Sequence, residues 1–328
     1  MPLDRHSLRL IYVRRVIVPL ANTLGFRAAM GLARYLARGV FDMNTPGRLR
    51  AEQNLQRAYG DTLKPEQRLE LARRAFESIA AFWVEAFFVH RKLRVSSWRH
   101  CVELEDEPLV RAMADSTRGA LVVTGYLGNF AVGAYALAQL CRPLHVVIDE
   151  VQHPVLKSWQ DELYRQPNLE LLASHRARGR LADLLSDGAK VFIVGEHVRA
   201  RGRTVGVEFL GQPYRCYPTV GLLARWCDVP VYTVSARRLP GPFRFALSAE
   251  LAADPRDLGS DQDPTEAITQ RYMRQLEAQV RRWPGQYLWT RPWEPAAAST
   301  DPGAGDKGTQ PQPSSTKRVA DEGAVKSH

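Results

Sequence analysis

The sequence predicts an α/β fold in which helices flank a mostly parallel central sheet, with a helical region before it and a disordered tail after it. Three observations support this prediction. From Val102 onward, short apolar runs alternate with longer amphipathic segments, which is typical of strands and helices that build a parallel sheet. Residues 6–90 place their apolar side chains at helical spacing. After Glu294 the chain has almost no large apolar residues, so that segment cannot bury a core.

These observations divide the 328 residues into three parts. We predict a helical region over residues 1–100, an α/β domain over 101–294 and a disordered tail over 295–328. The first part is predicted to contain helices at 6–24, 26–39, 46–59 and 65–90. Gly25 and Gly39 end the first two helices, since glycine is a poor helix former, and Pro65 begins the last, because proline suits that position.

The second part alternates buried strands with helices, and Thr265 is the predicted cap of its last helix. The predicted strands are residues 120–123, 144–148, 169–172, 190–194, 205–210, 229–235 and 244–251. The predicted helices are residues 130–140, 154–166, 176–186, 219–226 and 264–283.

Charge is concentrated near the N-terminus. The formal net charge is +10, and residues 1–50 carry nine Arg and two Asp. Residues 8–24 are the most apolar stretch, but three Arg interrupt it, and a membrane span requires about 18 to 20 apolar residues. The stretch has the pattern of an amphipathic helix lying on an anionic bilayer, although a first helix packed on the core with a solvated basic face explains it equally well. The Arg residues are not interleaved with exposed aromatics, which argues against a nucleic-acid partner.

The four cysteines, Cys101, Cys141, Cys216 and Cys227, have no metal-type spacing. We therefore predict reduced core thiols, which fit a cytosolic compartment, and no metal site.

Residues 120–135 form the first candidate for a functional site. Four apolar residues predict a buried strand, a turn with Gly125 and Gly128 follows, and a helix begins near Phe130. Backbone N–H groups at such a helix N-terminus can bind an oxyanion or a phosphate, and glycine lets the backbone approach a ligand closely. An ordinary strand–helix corner explains these residues equally well.

The same stretch resembles a family signature. Thr124-Gly-Tyr-Leu-Gly-Asn-Phe-Ala131 is similar to Thr-Gly-His-Leu-Gly-Asn-Trp-Glu of the lipid A late acyltransferases (the lauroyl and myristoyl acyltransferases), part of the lysophospholipid acyltransferase superfamily. Further blocks follow in the family's order, so that the resemblance covers residues 5–294. They are Asn54-Leu55 and residues 143–148, 153–154, 191–197, 207–213, 222–225, 229–231 and 286–289.

The resemblance implies transfer of a fatty acyl group from a thioester donor to a hydroxyl group of a lipid or glycolipid. It implies no bound cofactor, because the donor is a thioester of acyl carrier protein or coenzyme A. The implied partners are the membrane surface, the lipid acceptor and an acyl carrier protein, and the implied location is the cytoplasmic face of the bacterial inner membrane. The matched blocks and neighbouring loops give the candidate substrate-binding residues Thr124, Gly125, Gly128, Asn129, Asp149, Arg199 and Gly211.

The catalytic dyad of that superfamily is absent. Its members use His-x4-Asp/Glu, in which the His takes the proton of the acceptor hydroxyl and the carboxylate orients the imidazole. The corresponding residues here are Tyr126 and Ala131. About one phenol in a thousand is ionised at pH 7, so Tyr126 is a poor base. Two functions remain: an acyltransferase-like enzyme with altered catalytic residues, or an inactive relative that binds lipid or acyl chains or partners an active enzyme.

Glu196 and His197 are candidate replacements, because they stand where the family has Asp-Gln after a strand. The carboxyl ends of parallel strands share one edge with the helix N-termini, so we expect His197 to face the same cleft as Tyr126. Neighbouring residues of an extended chain point to opposite faces, which makes Glu196 a poor partner for His197 and leaves Asp149 as the other carboxylate. An ordinary strand-end histidine is the alternative. The candidate catalytic residues are thus Tyr126, Glu196 and His197.

The other histidines have simpler interpretations. His145 begins a buried strand and is predicted to be structural, while no partner is predicted for His90 or His100.

Overall fold

The structure is a computed structural model that describes residues 18–149, 157, 160, 164–166, 168–177, 179–196, 204–259 and 263–292. Most of the predicted helix 6–24, most of the predicted helix 154–166 and all of the predicted tail 295–328 lie outside these residues. None of the helices within the described ranges is long and apolar enough to cross a membrane.

The strands within the described residues are short, and the central ones are buried. They are β1 (Val102–Leu104), β2 (Ala120–Thr124), β3 (Leu144–Ile148), β4 (Leu169–Ala173), β5 (Lys190–Val194), β6 (Val205–Phe209), β7 (Gln212–Cys216), β8 (Val231–Arg238) and β9 (Phe245–Ala253). Seven of them form one sheet in the order β1-β9-β8-β2-β5-β3-β4. The strands from β8 to β4 are mutually parallel, whereas β9 is antiparallel to β8 and β1 is parallel to β9. The predicted fold class is confirmed.

Helices cover the sheet and precede it. They are α1 (Val18–Met43), α2 (Thr45–Tyr59), α3 (Pro65–Lys92), α4 (Glu107–Asp115), α5 (Phe130–Leu137), α6 (Ser174–Ala177), α7 (Arg180–Ser186), α8 (Thr219–Cys227) and α9 (Pro264–Arg282). Single 3₁₀ turns lie at Gly60–Thr62, Trp98–His100, Pro255–Asp257 and Pro284–Gln286.

Several helix boundaries differ from the prediction. Gly25, with φ 77° and ψ 163°, separates two helical stretches of α1 as predicted, but the second stretch continues through Gly39 because Phe41 beyond it is buried in the core. The predicted helix 176–186 is divided into α6 and α7. The cap of α9 is Asp263, whose side chain accepts a hydrogen bond from the Thr265 N–H at 2.8 Å, rather than Thr265.

A β-hairpin replaces the predicted strand and turn at residues 205–213. β6 and β7 pair antiparallel as a separate two-stranded sheet. Leu210 and Gly211 connect them with φ angles of 54° and 73°, as in a type I′ turn. β7 was not predicted, because leucine seldom adopts a positive φ and Leu-Gly is therefore a weak sequence signal for a hairpin.

The N-terminal helices share buried apolar clusters with both faces of the sheet. Phe41 of α1 and Leu55 of α2 belong to the same cluster as Leu121 of β2. Phe88 of α3 belongs to a second cluster with Val122 on the opposite face of β2. Since successive strand residues point to opposite faces, an apolar β2 contacts both clusters, as expected for a central parallel strand.

The chain after β2 is held against β8 by a close backbone approach at Gly128. Gly128 has φ 66°, and a Cβ there would collide with the carbonyl oxygen of Ala236. The Asn129 N–H donates a hydrogen bond to that same oxygen at 2.8 Å. Only glycine fits this position, for reasons of both conformation and space.

The substitution Gly128→Ala should destabilise the protein strongly, because the added methyl group has no room and alanine is strained at positive φ. We expect the free energy of unfolding in urea to fall by about 3 kcal/mol or more. The matched control is Gly60→Ala, at φ 54° and ψ −132° with no atom within 4 Å of the added Cβ; it should cost less, about 1–3 kcal/mol, because only the backbone strain remains. Equal losses for the two variants would contradict the close approach at Gly128.

Candidate active site

The turn between β2 and α5 lies at the carboxyl edge of the sheet and is bonded to the segment that follows α9. The Gly128 N–H donates to the carbonyl oxygen of Gln286 at 3.0 Å, and the Leu288 N–H donates to the carbonyl oxygen of Tyr126 at 3.1 Å. With the contact to β8 on its other side, this turn is fixed along both flanks.

Asn54 of α2 holds the segment after α9 in place. Its side-chain amide donates to the carbonyl oxygens of Trp289 and Arg291, both at 2.8 Å. The guanidinium group of Arg291 lies over the ring of Tyr126, with its Cζ 3.6 Å from the ring centroid. A helix remote in sequence therefore helps to shape the turn that resembles the family signature.

Tyr126 is half-buried beneath Arg291, and its ring meets that of Phe130 edge-on at a centroid distance of 6.0 Å. Burial raises the pKa of the phenol well above its usual range; the negative charges of Glu196 and Asp149 act in the same direction, and Arg291 opposes them. Tyr126 is thus protonated at neutral pH and is an even weaker base than a phenol in water.

Glu196 is the second residue after β5, and only 2% of its surface is exposed. Its Oε2 accepts a hydrogen bond from the Tyr287 hydroxyl at 2.7 Å, while its Oε1 has no hydrogen-bond partner among the described residues. Burial raises the pKa of this carboxyl group from 4.5 to about 7, although the Tyr287 hydroxyl, Arg291 and the backbone N–H of Tyr126 favour the charged form. Near neutral pH the group therefore populates both ionisation states.

Gly125 provides the room that Glu196 needs. A Cβ at Gly125 would collide with Oε1 of Glu196, so the carboxyl group rests directly on the backbone of the turn. Thr124 is buried as the last residue of β2, and its hydroxyl contacts the Gly125 carbonyl oxygen at 3.4 Å. The structure thus brings together the predicted residues Thr124, Gly125, Tyr126 and Glu196.

Asn129 is fully buried and caps α5. Its Oδ1 accepts from the Val132 N–H at 3.1 Å, and its Nδ2 donates to Oε2 of Glu85 at 2.7 Å. The other oxygen of Glu85 accepts from Nε of Arg238 at 2.6 Å. The described contacts of the Asn129 side chain therefore stabilise the helix N-terminus from inside the protein.

Of two further predicted substrate-binding residues, Asp149 lies near enough to Tyr126 for its charge to act on the phenol, whereas Gly211 belongs to the β6–β7 hairpin. Asp149 is exposed after β3, where its Oδ1 accepts from the Ser174 hydroxyl at 2.7 Å and its carbonyl oxygen accepts from Gln160 at 2.9 Å. Gly211 lies in the β6–β7 turn, and the atom nearest to a Cβ there would be in the guanidinium group of Arg281. Its positive φ serves the hairpin.

His197 and Arg199 lie outside the described residues, and their predicted roles stay predictions. His145 is buried with Nδ1 3.3 Å from a carboxylate oxygen of Glu170, and burial lowers the pKa of its imidazole.

His90 has a partner that the sequence did not suggest: its Nδ1 lies 2.7 Å from the hydroxyl oxygen of Tyr135, because α3 packs against α5. His100 contacts the nearby carbonyl oxygen of Ser97 through its Nδ1 at 3.3 Å.

Sequence reasoning missed three residues that shape the site. Tyr287 and Arg291 reach it from the far end of the domain, and nothing in their local pattern indicates contact with residues 125–126. Glu85 carried a signal that could have been used, because it is the one carboxylate in the apolar run 80–89 of α3. A charge in the middle of such a run indicates a buried group with dedicated partners.

The described arrangement suits proton transfer. A carboxyl group that ionises near neutral pH can accept a proton from a substrate and return it, and the Arg291 guanidinium supplies a nearby positive charge. Within the described residues, no group of three or more His, Cys, Asp or Glu side chains could hold a metal ion.

The sequence profile of the bacterial lipid A biosynthesis acyltransferases matches residues 6–293. No curated protein matches the chain. Among solved structures, it is similar to the 1-acyl-sn-glycerophosphate (LPA) acyltransferase PlsC from Thermotoga maritima, with 15% identity, 77% of this chain and 96% of that chain covered, and a TM-score of 0.37.

The raised pKa of Glu196 predicts a pH-dependent stability. Folding favours the protonated carboxyl group, so its stabilising contribution is complete below a pH of about 4.5 and is lost as the pH rises through about 7. We expect Glu196→Gln to remove this dependence. Between pH 4.5 and 7 the free energy of unfolding of the wild type should therefore fall by on the order of 3 kcal/mol relative to that of the variant.

The measurement is urea unfolding of both proteins at a series of pH values. The difference between their free energies of unfolding is plotted against pH, because the contributions of the other titrating groups cancel in it. A difference that is constant between pH 4.5 and 7 would mean that Glu196 ionises as an ordinary carboxyl group does.

Proposed function

The chain belongs to the bacterial lipid A biosynthesis acyltransferase family, and we propose that it transfers a fatty acyl group from a thioester donor to a hydroxyl group of a lipid or glycolipid, with Glu196 in place of the missing histidine base. The observation that carries this proposal is the buried Oε1 of Glu196, which rests on Gly125 with no hydrogen-bond partner among the described residues. An oxygen of this kind is free to accept the proton of an acceptor hydroxyl.

In the proposed reaction Glu196 carries one proton from the acceptor hydroxyl to the leaving thiol. The ionised Glu196 takes the proton of the acceptor hydroxyl while the hydroxyl oxygen attacks the thioester carbonyl carbon. The carbon–sulfur bond then breaks, the thiol leaves with the proton from Glu196, and an ester remains. The positive charge of Arg291 beside Tyr126 favours the negative charge that develops on the carbonyl oxygen.

The donor in this proposal is a thioester of acyl carrier protein or coenzyme A, and no bound cofactor takes part. A pKa near 7 suits a general base, because proton transfer is most efficient when the base titrates near the working pH. Tyr126 is unsuited to the same role, since its phenol is protonated at neutral pH and its ring lies against Arg291.

A second function, an inactive relative that binds lipid or acyl chains or partners an active enzyme, is supported by a different observation. Both positions of the family dyad are occupied by residues that cannot form it, and Ala131 is buried in an apolar cluster. A carboxylate at that position would be buried beside apolar side chains, so restoring the dyad there would lower the stability of the protein.

The membrane surface is the proposed partner of α1. This helix carries an exposed apolar stripe, whereas its opposite face, with Met30 and Phe41, is buried. The stripe repeats at intervals of three and four residues, as one face of a helix does. Its residues are Leu32, Tyr35, Leu36, Val40 and Met43.

The occupant that fits this stripe is an anionic bilayer. The first 50 residues carry nine Arg and only two Asp, and a basic helix with an exposed apolar face binds anionic membranes through both features. The acceptor would be a component of that bilayer, which supports a location at the cytoplasmic face of the bacterial inner membrane. An acyl carrier protein is the proposed soluble partner.

The catalytic proposal is tested by transfer of a radiolabelled acyl group from acyl carrier protein and coenzyme A thioesters to a panel of lipid acceptors. We expect Glu196→Gln to lower kcat by about 10²–10⁴-fold, the usual worth of a general base, and Tyr126→Phe to lower it less than about tenfold. His197→Ala is measured in the same assay. A loss of acyl transfer in that variant alone would show that His197, and not Glu196, is the base.

Tyr287→Phe is the matched control, because it keeps the carboxylate and removes the hydrogen bond to Oε2. Losing a bond to the charged form should raise the pKa of Glu196 further and move the rising limb of the pH–rate profile to higher pH. A wild type without transfer activity that gains activity as Tyr126→His/Ala131→Glu would instead support the inactive relative.

The membrane proposal predicts that Leu32→Ser/Leu36→Ser weakens binding to vesicles of phosphatidylcholine and phosphatidylglycerol. Removing two leucines from the buried side of a membrane contact should reduce the partition coefficient in co-sedimentation by at least about tenfold. The control is Val95→Ser/Trp226→Ser, which removes two exposed apolar residues outside α1. Equal losses for both pairs would show that α1 has no special role.

A further inference from the structure

The segment that follows α9 carries two of the groups that act on Glu196. The Tyr287 hydroxyl donates a hydrogen bond to Oε2 of Glu196 at 2.7 Å. Four residues later, the Arg291 guanidinium lies over the ring of Tyr126, with its Cζ 3.6 Å from the ring centroid. Both groups favour the charged form of the Glu196 carboxyl group. The position of this short segment therefore determines the surroundings of the proposed base.

This segment has little regular structure of its own. Residues 287–292, all of them described, contain no helix, and an isolated bridge joins Tyr287 to Leu127. The backbone groups of such a segment need partners from side chains elsewhere in the chain. Asn54 of α2 is such a partner, because its Nδ2 donates to the carbonyl oxygens of Trp289 and Arg291, both at 2.8 Å. One amide thus holds the stretch that runs from Tyr287 to Arg291.

The helix that carries Asn54 is itself fixed against this part of the protein. The carbonyl oxygen of Ala58, one turn further along α2, accepts from Nη1 of Arg281 at 3.4 Å. The ring of Tyr59 contacts the ring of Trp289 at a centroid distance of 5.9 Å. Only 3% of the surface of Asn54 is exposed, and a buried donor without its partner is costly. The amide therefore stays bonded to the segment.

Among the described residues, six groups interact electrostatically with the Glu196 carboxyl group from the surrounding elements. They are Tyr126 after β2, Tyr214 and Cys216 of β7, Tyr272 of α9, and Tyr287 and Arg291 after α9. Burial raises the pKa of the four phenols and the thiol, so they are neutral at pH 7. Of these described groups, Arg291 alone is charged at that pH.

We propose that Asn54 is a positioning residue for Glu196: its amide holds residues 287–291 so that the Tyr287 hydroxyl reaches the carboxyl group and the Arg291 guanidinium stays over Tyr126. The role of Glu196 as a base rests on the proposed function, whereas the positioning rests on the hydrogen bonds of Asn54. A helix of the N-terminal region thereby contributes to the site of the α/β domain.

The test measures the ionisation of Glu196 without turnover. Urea unfolding of each protein is compared with that of the same protein carrying Glu196→Gln, over a series of pH values. The pH at which the difference in free energy of unfolding levels off reports the pKa of Glu196 in the folded protein. Asn54→Ala releases the segment, so that Tyr287 and Arg291 stabilise the carboxylate less, and this pH should rise by about one pH unit.

Asn54→Ser keeps one donor and should raise the same pH by less than Asn54→Ala does, so it provides the measurement if Asn54→Ala does not fold. The matched control is Gln139→Ala, which removes another buried amide. That amide donates to the Tyr135 carbonyl oxygen at 3.3 Å and to Oε1 of Gln166 at 3.1 Å, outside the segment. It should lower the overall stability and leave the pH unchanged. An equal rise in the control, or no rise in the folded Asn54 variants, would overturn the proposal.

A double-mutant cycle tests the route by which Asn54 acts. In the background Tyr287→Phe/Arg291→Gln, Asn54→Ala should raise the pH by less than about a third of its effect in the wild type, because the groups that it positions are gone. An undiminished effect in this background would mean that Asn54 acts on Glu196 by another route, and it would overturn the proposal.

The failure of this proposal and the failure of the proposed function are distinguishable. A rise in the pH for Asn54→Ala, together with a wild type that transfers no acyl group, would support the positioning role and contradict the proposed activity. Acyl transfer that depends on Glu196, together with a pH that Asn54→Ala does not change, would support the activity and contradict the positioning role.

Discussion

The buried carboxylate of Glu85 is the interaction on which the geometry of the site depends. One of its oxygens binds Arg238 at the end of β8, and the other binds Asn129 at the start of α5. Arg238 is itself tied to Ser78 of α3 through its Nη1 at 2.8 Å, and its backbone N–H donates to Gln286 at 2.7 Å. Removing one partner of a buried ion pair costs about 3–5 kcal/mol. The helix N-terminus, the sheet edge and the segment after α9 are therefore held as one unit.

Glu85 and Glu196 show how similar burial leads to different chemistry. Both carboxyl groups are about 2% exposed, but Glu85 has a cation on one oxygen and an amide on the other. Glu196 has the Tyr287 hydroxyl on one oxygen, the backbone N–H of Tyr126 close by, and a second oxygen outside ordinary hydrogen-bond geometry. At Glu196 desolvation outweighs these donors and raises the pKa. The satisfied carboxylate stabilises structure, and the unsatisfied one is able to exchange a proton.

The sequence was sufficient for the fold class because the central strands are apolar on both faces and the helices keep their periodicity. It also placed the end of β5 beside the Tyr126 turn, since the carboxyl ends of parallel strands converge at one edge, but it expected His197 rather than Glu196 to face that turn. It failed where a contact depends on distant segments. Asn54, Tyr287 and Arg291 meet the turn only after the chain has folded, and no local pattern encodes their register. The β6–β7 hairpin was not predicted for another reason: the first residue of its turn, Leu210, has a positive φ angle, which a leucine seldom adopts.

The strand order places the proposed base beside the Tyr126 turn. β8 and β5 are the two neighbours of β2, and Glu196 follows β5, so its carboxyl group rests on Gly125 of the turn that continues β2. In the superfamily dyad both catalytic groups lie on that turn, whereas the base proposed here comes from the neighbouring strand of the sheet. Under that proposal an acceptor hydroxyl would have to approach the turn from the side of β5.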